Sequence, residues 1–218
     1  MSTTLETIIE PLRTLDWNDV EAVDSATHKA FDQLAGAKYL LRRALRELPV
    51  NSDLTPLCEH YDILDKIVLH DDPQSGIRLR LHIFGPGYID RPHNHRWTYV
   101  ANILRGEYRH RIYAPAELDA GIDVSTLRAV QVRHEQVGAS YALHHSAIHA
   151  VVAEPGTVSL VLRGPAINDR FLVMDAKTGQ SWWQYGAAKE SLEDAAKKRM
   201  SPRRLEELTA LLGEWDLI

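Results

Sequence analysis

Nine short β-prone runs follow one another between residues 63 and 175, and no other feature constrains the fold of this chain as strongly. They fall at 63–70, 77–84, 97–105, 107–114, 128–135, 140–144, 148–154, 157–163 and 170–175. Turn chemistry separates them: Asp72-Pro73-Gln74-Ser75-Gly76, the Pro115 to Ser125 loop, and Glu154-Pro155-Gly156. On either side the hydrophobic period changes to that of a helix. From Thr3 to Leu48 it runs through Leu5, Ile8, Ile9 and Leu12, then Val20, Val23, Phe31 and Leu34, then Leu40, Leu41, Leu45 and Leu48. Thr3 with Glu6 and Asn18 with Glu21 read as capping boxes, and Gly36 divides the later helices. Residues 190–213 return to helix, with Ser201 and Pro202 opening it, a stripe of Leu205, Leu208, Leu211 and Leu212, and Gly213 as its stop. Trp182-Trp183-Gln184-Tyr185 reads as core beneath a terminal helix.

Short strands flanked by helices predict a mainly β chain: a β-barrel or jelly roll, the closed architecture that removes sheet edges, with helices packed outside. The expected organisation is one domain, 1–218, with a helical region over 1–60, the barrel over 61–176 and a helical extension over 177–218. Strand 77–84 sharpens this picture. One face carries Ile77, Leu79, Leu81 and Ile83, and the other Arg78, Arg80, His82 and Phe84. If the apolar face lies beneath a helix, the polar face looks into the barrel, where polar groups are costly unless a ligand, metal or water satisfies them. The alternative is an exposed face on an edge strand.

At 44% apolar and 25% charged, the chain can fill one ordinary globular core. A net charge of −5 gives no reason to expect nucleic acid or an anionic membrane as partner. The run Lys197-Lys198-Arg199 with Arg203-Arg204 reads as a solvated helix junction. Cys58 is the single cysteine, so no intrachain disulfide forms and nothing points to secretion. The first residues lack the basic start and apolar core of a signal peptide, and no run is long enough to span a bilayer. The expected location is the cytoplasm.

The chemistry concentrates at residues 87–106, where His93 and His95 stand at i, i+2 before an apolar, β-prone run. On a strand such a pair points one way, so both imidazoles can reach one metal ion of the borderline class. The plain alternative is a pair of surface strand histidines. Tyr99 shares their parity and is expected to face the same cavity, as a barrel-filling aromatic or as a group at the metal. Arg163 reads equally as a pocket cation or a structural ion-pair member.

The spacing of Gly87, His93, His95 and Gly106 resembles the first motif of the cupin superfamily: a glycine, five residues, His-x-His, and a glycine eleven residues later. The acidic ligand of that motif is missing, since Tyr99 and Val100 occupy its places, so a three-histidine site is expected. The second cupin motif, a tight loop before a strand, finds its match in His144-His145-Ser146-Ala147-Ile148-His149 and implies His149 as third ligand, with His144 and His145 as the alternatives. Helices ahead of the barrel and the Phe84-Gly85-Pro86-Gly87 turn are similar to the cysteine dioxygenase-type branch, the thiol dioxygenases. That resemblance implies ferrous iron on His93, His95 and His149, with dioxygen and substrate at open positions. The Ser-His-Tyr relay of that branch is not kept: Ser159 holds its place, but Val161 and Arg163 replace the histidine and tyrosine. The branch's carboxylate-binding arginine falls near Lys66.

Three neutral imidazoles leave the full +2 charge on an ion, which attracts an anionic ligand strongly in a low-dielectric barrel. With the ferrous iron and dioxygen that the resemblance implies, the expected function is a mononuclear non-haem Fe(II) oxygenase acting on a small, carboxylate-bearing substrate. Arg80, Arg163, Lys66 and Phe84 are the substrate-binding candidates, and His82, Tyr99 and Arg163 the catalytic ones. Zinc, nickel, manganese and copper also suit the donor set, and the oligomeric state is left open. Two other readings are a metal-dependent isomerase or lyase and a metal-binding sensor without turnover.

Overall fold

The computed structural model describes residues 3–114, 124–186 and 189–218. The expected 115–125 loop thus lies largely outside the described residues. Three helices open the chain: α1 (Leu5–Ile9), α2 (Val20–Gly36) and α3 (Lys38–Glu47). Their starts differ from the expected ones. Thr4 caps α1, and the Thr7 hydroxyl answers by accepting from the Thr4 N–H, so a threonine does what Glu6 was expected to do. Asp19 caps α2 by accepting from Ala22 N, because Asn18 is already held by Asp16 in the preceding turn. Gly36 ends α2 as expected.

Eleven strands follow among the described residues. β1 (Glu59–Tyr61), β2 (Leu64–Asp72), β3 (Ile77–Phe84), β9 (Val158–Arg163), β4 (Tyr99–Arg105) and β7 (Ser140–Leu143) form, in that order, an antiparallel six-stranded sheet. β6 (Ala129–Gln136), β5 (Glu107–Tyr113) and β8 (Ile148–Ala153) form a second, and β10 (Arg170–Asp175) pairs with β11 (Gln180–Tyr185). Residues 88–94 lace β8 to β10. Asp90 N donates to Val151 O at 2.9 Å, His93 and His149 exchange both backbone bonds at 2.9 and 2.8 Å, and Met174 N donates to Pro92 O at 2.8 Å. The second layer is thereby continuous from β6 to β11.

Two apolar clusters flank the six-stranded sheet. Beneath the helices lie Ile9, Leu12, Val23, Phe31, Leu34, Leu41 and Leu45, packed with Ile77, Leu79, Leu81 and Ile83 of β3 and with Leu160 and Leu162 of β9. Between the sheets lie Phe84, Tyr99, Ile103, Tyr108, Tyr141, Val151 and Val161. The polar face of β3 therefore does look into the barrel, and the edge-strand alternative fails because β3 is paired on both sides, with β2 and β9. Gly106 is needed where β4 turns into β5. Its φ is +72°, and a Cβ there would lie 2.9 Å from Thr157 Cα.

The C-terminal part departs most from expectation. β11 occupies the stretch read as helical extension, and the Trp182 and Tyr185 side chains are exposed rather than buried under a helix. Trp183 alone packs inward there, against the cluster of Ile148, Leu172 and Met174. Helices α4 (Leu192–Lys197) and α5 (Pro202–Glu214) follow, α5 with Ser201 accepting from Arg204 N at 3.1 Å and Pro202 in its first turn. Gly213 does not stop α5; Asp216, at φ 54°, makes the left-handed exit. Lys198 is not a free surface cation but bonds Glu59 at 2.7 Å and Glu190 at 2.8 Å. Among the described residues no helix is long and apolar enough to cross a membrane.

Candidate metal centre

The antiparallel bridge between His93 and His149 sets the site. Residues paired across such a bridge project to the same side, and here the two imidazole centroids are 4.6 Å apart. His95 is not on β4 as the spacing suggested, nor does His93 belong to it. Both precede that strand on an irregular extended segment, and His95 is fixed by its own N–H donating to His145 O at 3.0 Å. The pair still faces one way, with ring centroids 4.7 Å apart. One ligating nitrogen from each of His93, His95 and His149 lies within 4.8 Å of the others, and the Nε2 atoms of His95 and His149 are 2.8 Å apart. Nitrogens bound to one ion at about 2.1 Å would stand roughly 3 to 3.5 Å from each other, so the cluster is close to that geometry.

Hydrogen bonds select the ligating atoms. His93 Nδ1 lies 2.8 Å from Arg91 O, which can only accept, and 3.4 Å from an Asp90 oxygen. Its proton is therefore on Nδ1, and Nε2 keeps its lone pair. His149 is 4% exposed. Burial first, and the neighbouring histidines second, hold His149 and His95 well below the ordinary histidine pKa, so both present neutral rings. Three imidazole nitrogens turned to one point suit a transition metal. His144 and His145 stay outside this cluster: His144 Nδ1 bonds Ser146 Oγ at 2.7 Å, and the two rings lie 4.1 Å apart, tilted by 37°.

One wall of the barrel is cationic. Arg80 is only 8% exposed, yet its guanidinium makes no hydrogen bond or ion pair among the described residues. It lies 5.6 Å from the Trp97 ring, whose centroid is 5.8 Å from that of His95. Burial, with Arg78 next, lowers its pKa to about 10. The buried Nε2 of His82 also lacks a partner, and burial followed by Arg80 and Lys66 keeps that ring neutral. Lys66 is the cross-strand neighbour of His82, but its ammonium is 3.4 Å from Glu59 and thus already has a counter-charge. Arg163 stacks 4.9 Å from Trp97 while donating to Gly76 O at 2.9 Å and Gly164 O at 3.1 Å. Arg163 is thus anchored to backbone, and Arg80 is the free cation of the pair. Phe84 packs against Tyr88 at 4.9 Å as part of the apolar wall. The Tyr99 hydroxyl stands 3.5 Å from His149 Nε2, where it can face a bound molecule.

Sequence reasoning missed several residues that meet here. Trp97 shares the parity of His93, His95 and Tyr99 and was legible on that ground. His110 alternates with the outward Arg109 and Arg111 on β5, a period-2 signal that also marks Tyr108 as inward. Asp90, Tyr141 and Glu135 carried no comparable signal.

No family model matches the chain, and no curated protein matches it. Among solved structures it is similar to KdgF from Halomonas sp., at 17% identity and a TM-score of 0.38, over 48% of this chain and 82% of that one. An RmlC-like cupin from Shewanella frigidimarina gives 18% and 0.38, over 51% and 86%. The DMSP lyase DddQ from Ruegeria pomeroyi gives 16% and 0.38, over 50% and 51%. At these values the likenesses assign neither a family nor an activity.

Proposed function

We propose that this chain is a cupin-type, mononuclear non-haem iron oxygenase acting on a small organic anion. The observation that carries the anionic substrate is Arg80, a buried guanidinium without a hydrogen-bond or ion-pair partner among the described residues, beside a three-histidine cluster that itself lacks an acid. Natural barrels rarely retain such a group unless something else neutralises it. His93, His95 and His149 would hold the metal through Nε2. A ferrous ion, when bound there, supplies the one-electron chemistry through which dioxygen reacts. Arg80 would receive the substrate's carboxylate in a charge-assisted, bidentate pair of hydrogen bonds, with Trp97 fixing the plane of the guanidinium. The Tyr99 O–H would donate to the substrate, since burial raises its pKa well above the ordinary phenol value and keeps the proton in place. Phe84, Tyr88 and Trp97 would exclude water and strengthen each of these contacts.

Oxygen uptake by the iron-loaded chain across a panel of small carboxylates is the test. With an active substrate found, Arg80→Met should keep its iron and lose about 2 to 5 kcal/mol of substrate binding, because the carboxylate would be desolvated and unpaired. Cysteine and 3-mercaptopropionate should support little uptake, since the Ser-His-Tyr relay of the thiol dioxygenases is absent. Iron-dependent conversion that proceeds without oxygen would replace the oxygenase reading with a lyase or isomerase. Unchanged substrate affinity in Arg80→Met would remove the anion site.

A further inference from the structure

A buried polar pair that the proposed chemistry does not use lies beside His149. His110 on β5 is 0% exposed and Glu135 on β6 is 1% exposed, although a carboxylate is among the costliest groups to enclose. Both belong to the inward face that β5 and β6 share with Tyr108, and β5 lies beside β8, which carries His149. His110 Nδ1 lies 3.4 Å from Glu135 Oε1, and His110 Nε2 lies 3.0 Å from His149 Nδ1. Arg133 Nε, 3.0 Å from the same Glu135 oxygen, supplies the carboxylate's counter-charge from the barrel's rim.

We propose that Glu135 and His110 are positioning residues that select the tautomer and orientation of His149, the third metal ligand. The inference rests on the three-histidine metal reading. The hydrogen bonds from Glu135 to His149 run in one direction. A carboxylate only accepts, so the neutral form of His110 carries its proton on Nδ1 and offers a lone pair at Nε2. That lone pair accepts from His149 Nδ1–H, which leaves the His149 lone pair on Nε2, the atom that faces His95 Nε2 at 2.8 Å. The Arg91 carbonyl does the same for His93. Without such a partner a neutral imidazole is free to place its proton on either nitrogen, and one of the two forms cannot bind an ion in this cavity.

The experiment is a competition titration of the metal-free full chain with zinc, repeated with cobalt(II) for its visible spectrum. His110→Phe should weaken metal affinity about 10- to 100-fold and alter the cobalt spectrum, because nothing then accepts from His149 Nδ1–H. His110→Gln, whose carbonyl can accept that proton, should recover most of the loss even if both variants lower the melting temperature alike. Glu135→Gln keeps an acceptor but loses the charge and should fall between them, and it decides the matter if the phenylalanine variant does not fold. Affinities within about twofold of the unaltered chain in His110→Phe or, failing that variant, in Glu135→Gln would overturn the inference while leaving the metal site standing. Equal losses in His110→Phe and His110→Gln would also overturn it, since they would mark a purely structural role. If the unaltered chain binds neither metal, the three-histidine reading falls and takes this inference with it.

Discussion

The two faces of β3 lie a side chain's width apart and are solved by opposite means. Toward the helices, Ile77, Leu79, Leu81 and Ile83 are buried in an apolar cluster whose edges hold two acids that are already paired, Asp72 with Arg13 and Asp65 with Arg204, and each fully enclosed apolar side chain of this size contributes about 1.5 to 3 kcal/mol. Toward the barrel, Arg80 is buried and His82 half-buried, each with an enclosed nitrogen left unpartnered. The first face has what a stable fold needs and nothing more. The second is costly as it stands, and in the proposed function a bound anion offsets that cost. On that proposal, stability and ligand recognition are carried by alternate residues of a single strand.

The largest effect that tests this separation is on metal content. His93→Ala, His95→Ala and His149→Ala should each drop bound metal to background while the metal-free melting temperature stays near that of the unaltered chain, because the helix-side core holds the fold. Full metal occupancy in any of the three, read by elemental analysis after reconstitution, would show that the cluster is not the metal site. Next in size is a paired measurement on β3. Leu81→Ala should cost about 2 to 5 kcal/mol in urea unfolding. Arg80→Met should cost nothing, or gain on the order of 1 kcal/mol, since it removes a buried and unpaired charge. Equal destabilisation by both would erase the distinction between the faces.

The smallest effect lies at the barrel's rim and depends on pH. Burial alone would raise the pKa of Glu59, but Lys66 and Lys198 outweigh it and pull the value down to about 2, against an ordinary 4.5. A carboxylate with a depressed folded pKa stabilises the fold above its unfolded value, and that contribution fades as pH falls from about 4.5 through 2. Glu59→Gln should therefore cost on the order of 1 kcal/mol at pH 7 and almost nothing near pH 2. A cost independent of pH would show that Glu59 acts through packing, and that Lys66 is less neutralised than its 3.4 Å contact implies.

Much of this was written in local patterns. The alternation of β3 told which side chains face the helices, and the i, i+2 spacing told that His93 and His95 share a direction, though the segment bearing them is not a regular strand. Gly106 was legible because a left-handed turn leaves few other choices. The strand β11 was not, since Trp182-Trp183-Gln184-Tyr185 has no alternation of polarity, and its pairing partner β10 decided the matter. Nor could the sequence tell Arg80 from Arg163. Both have the right parity, but the carbonyl of Gly76, brought across from the β2–β3 turn, holds Arg163.

By itself, then, the sequence determined which side chains share a direction within β3 and around the histidine pair, because a strand's period of two is a property of the local backbone. Only the tertiary structure decided what each side chain meets. The bridge from His93 to His149, the contact of Lys66 with Glu59 and the relay from Glu135 through His110 all depend on strand register. Register is set by the packing of whole sheets, so no window of neighbouring residues contains it.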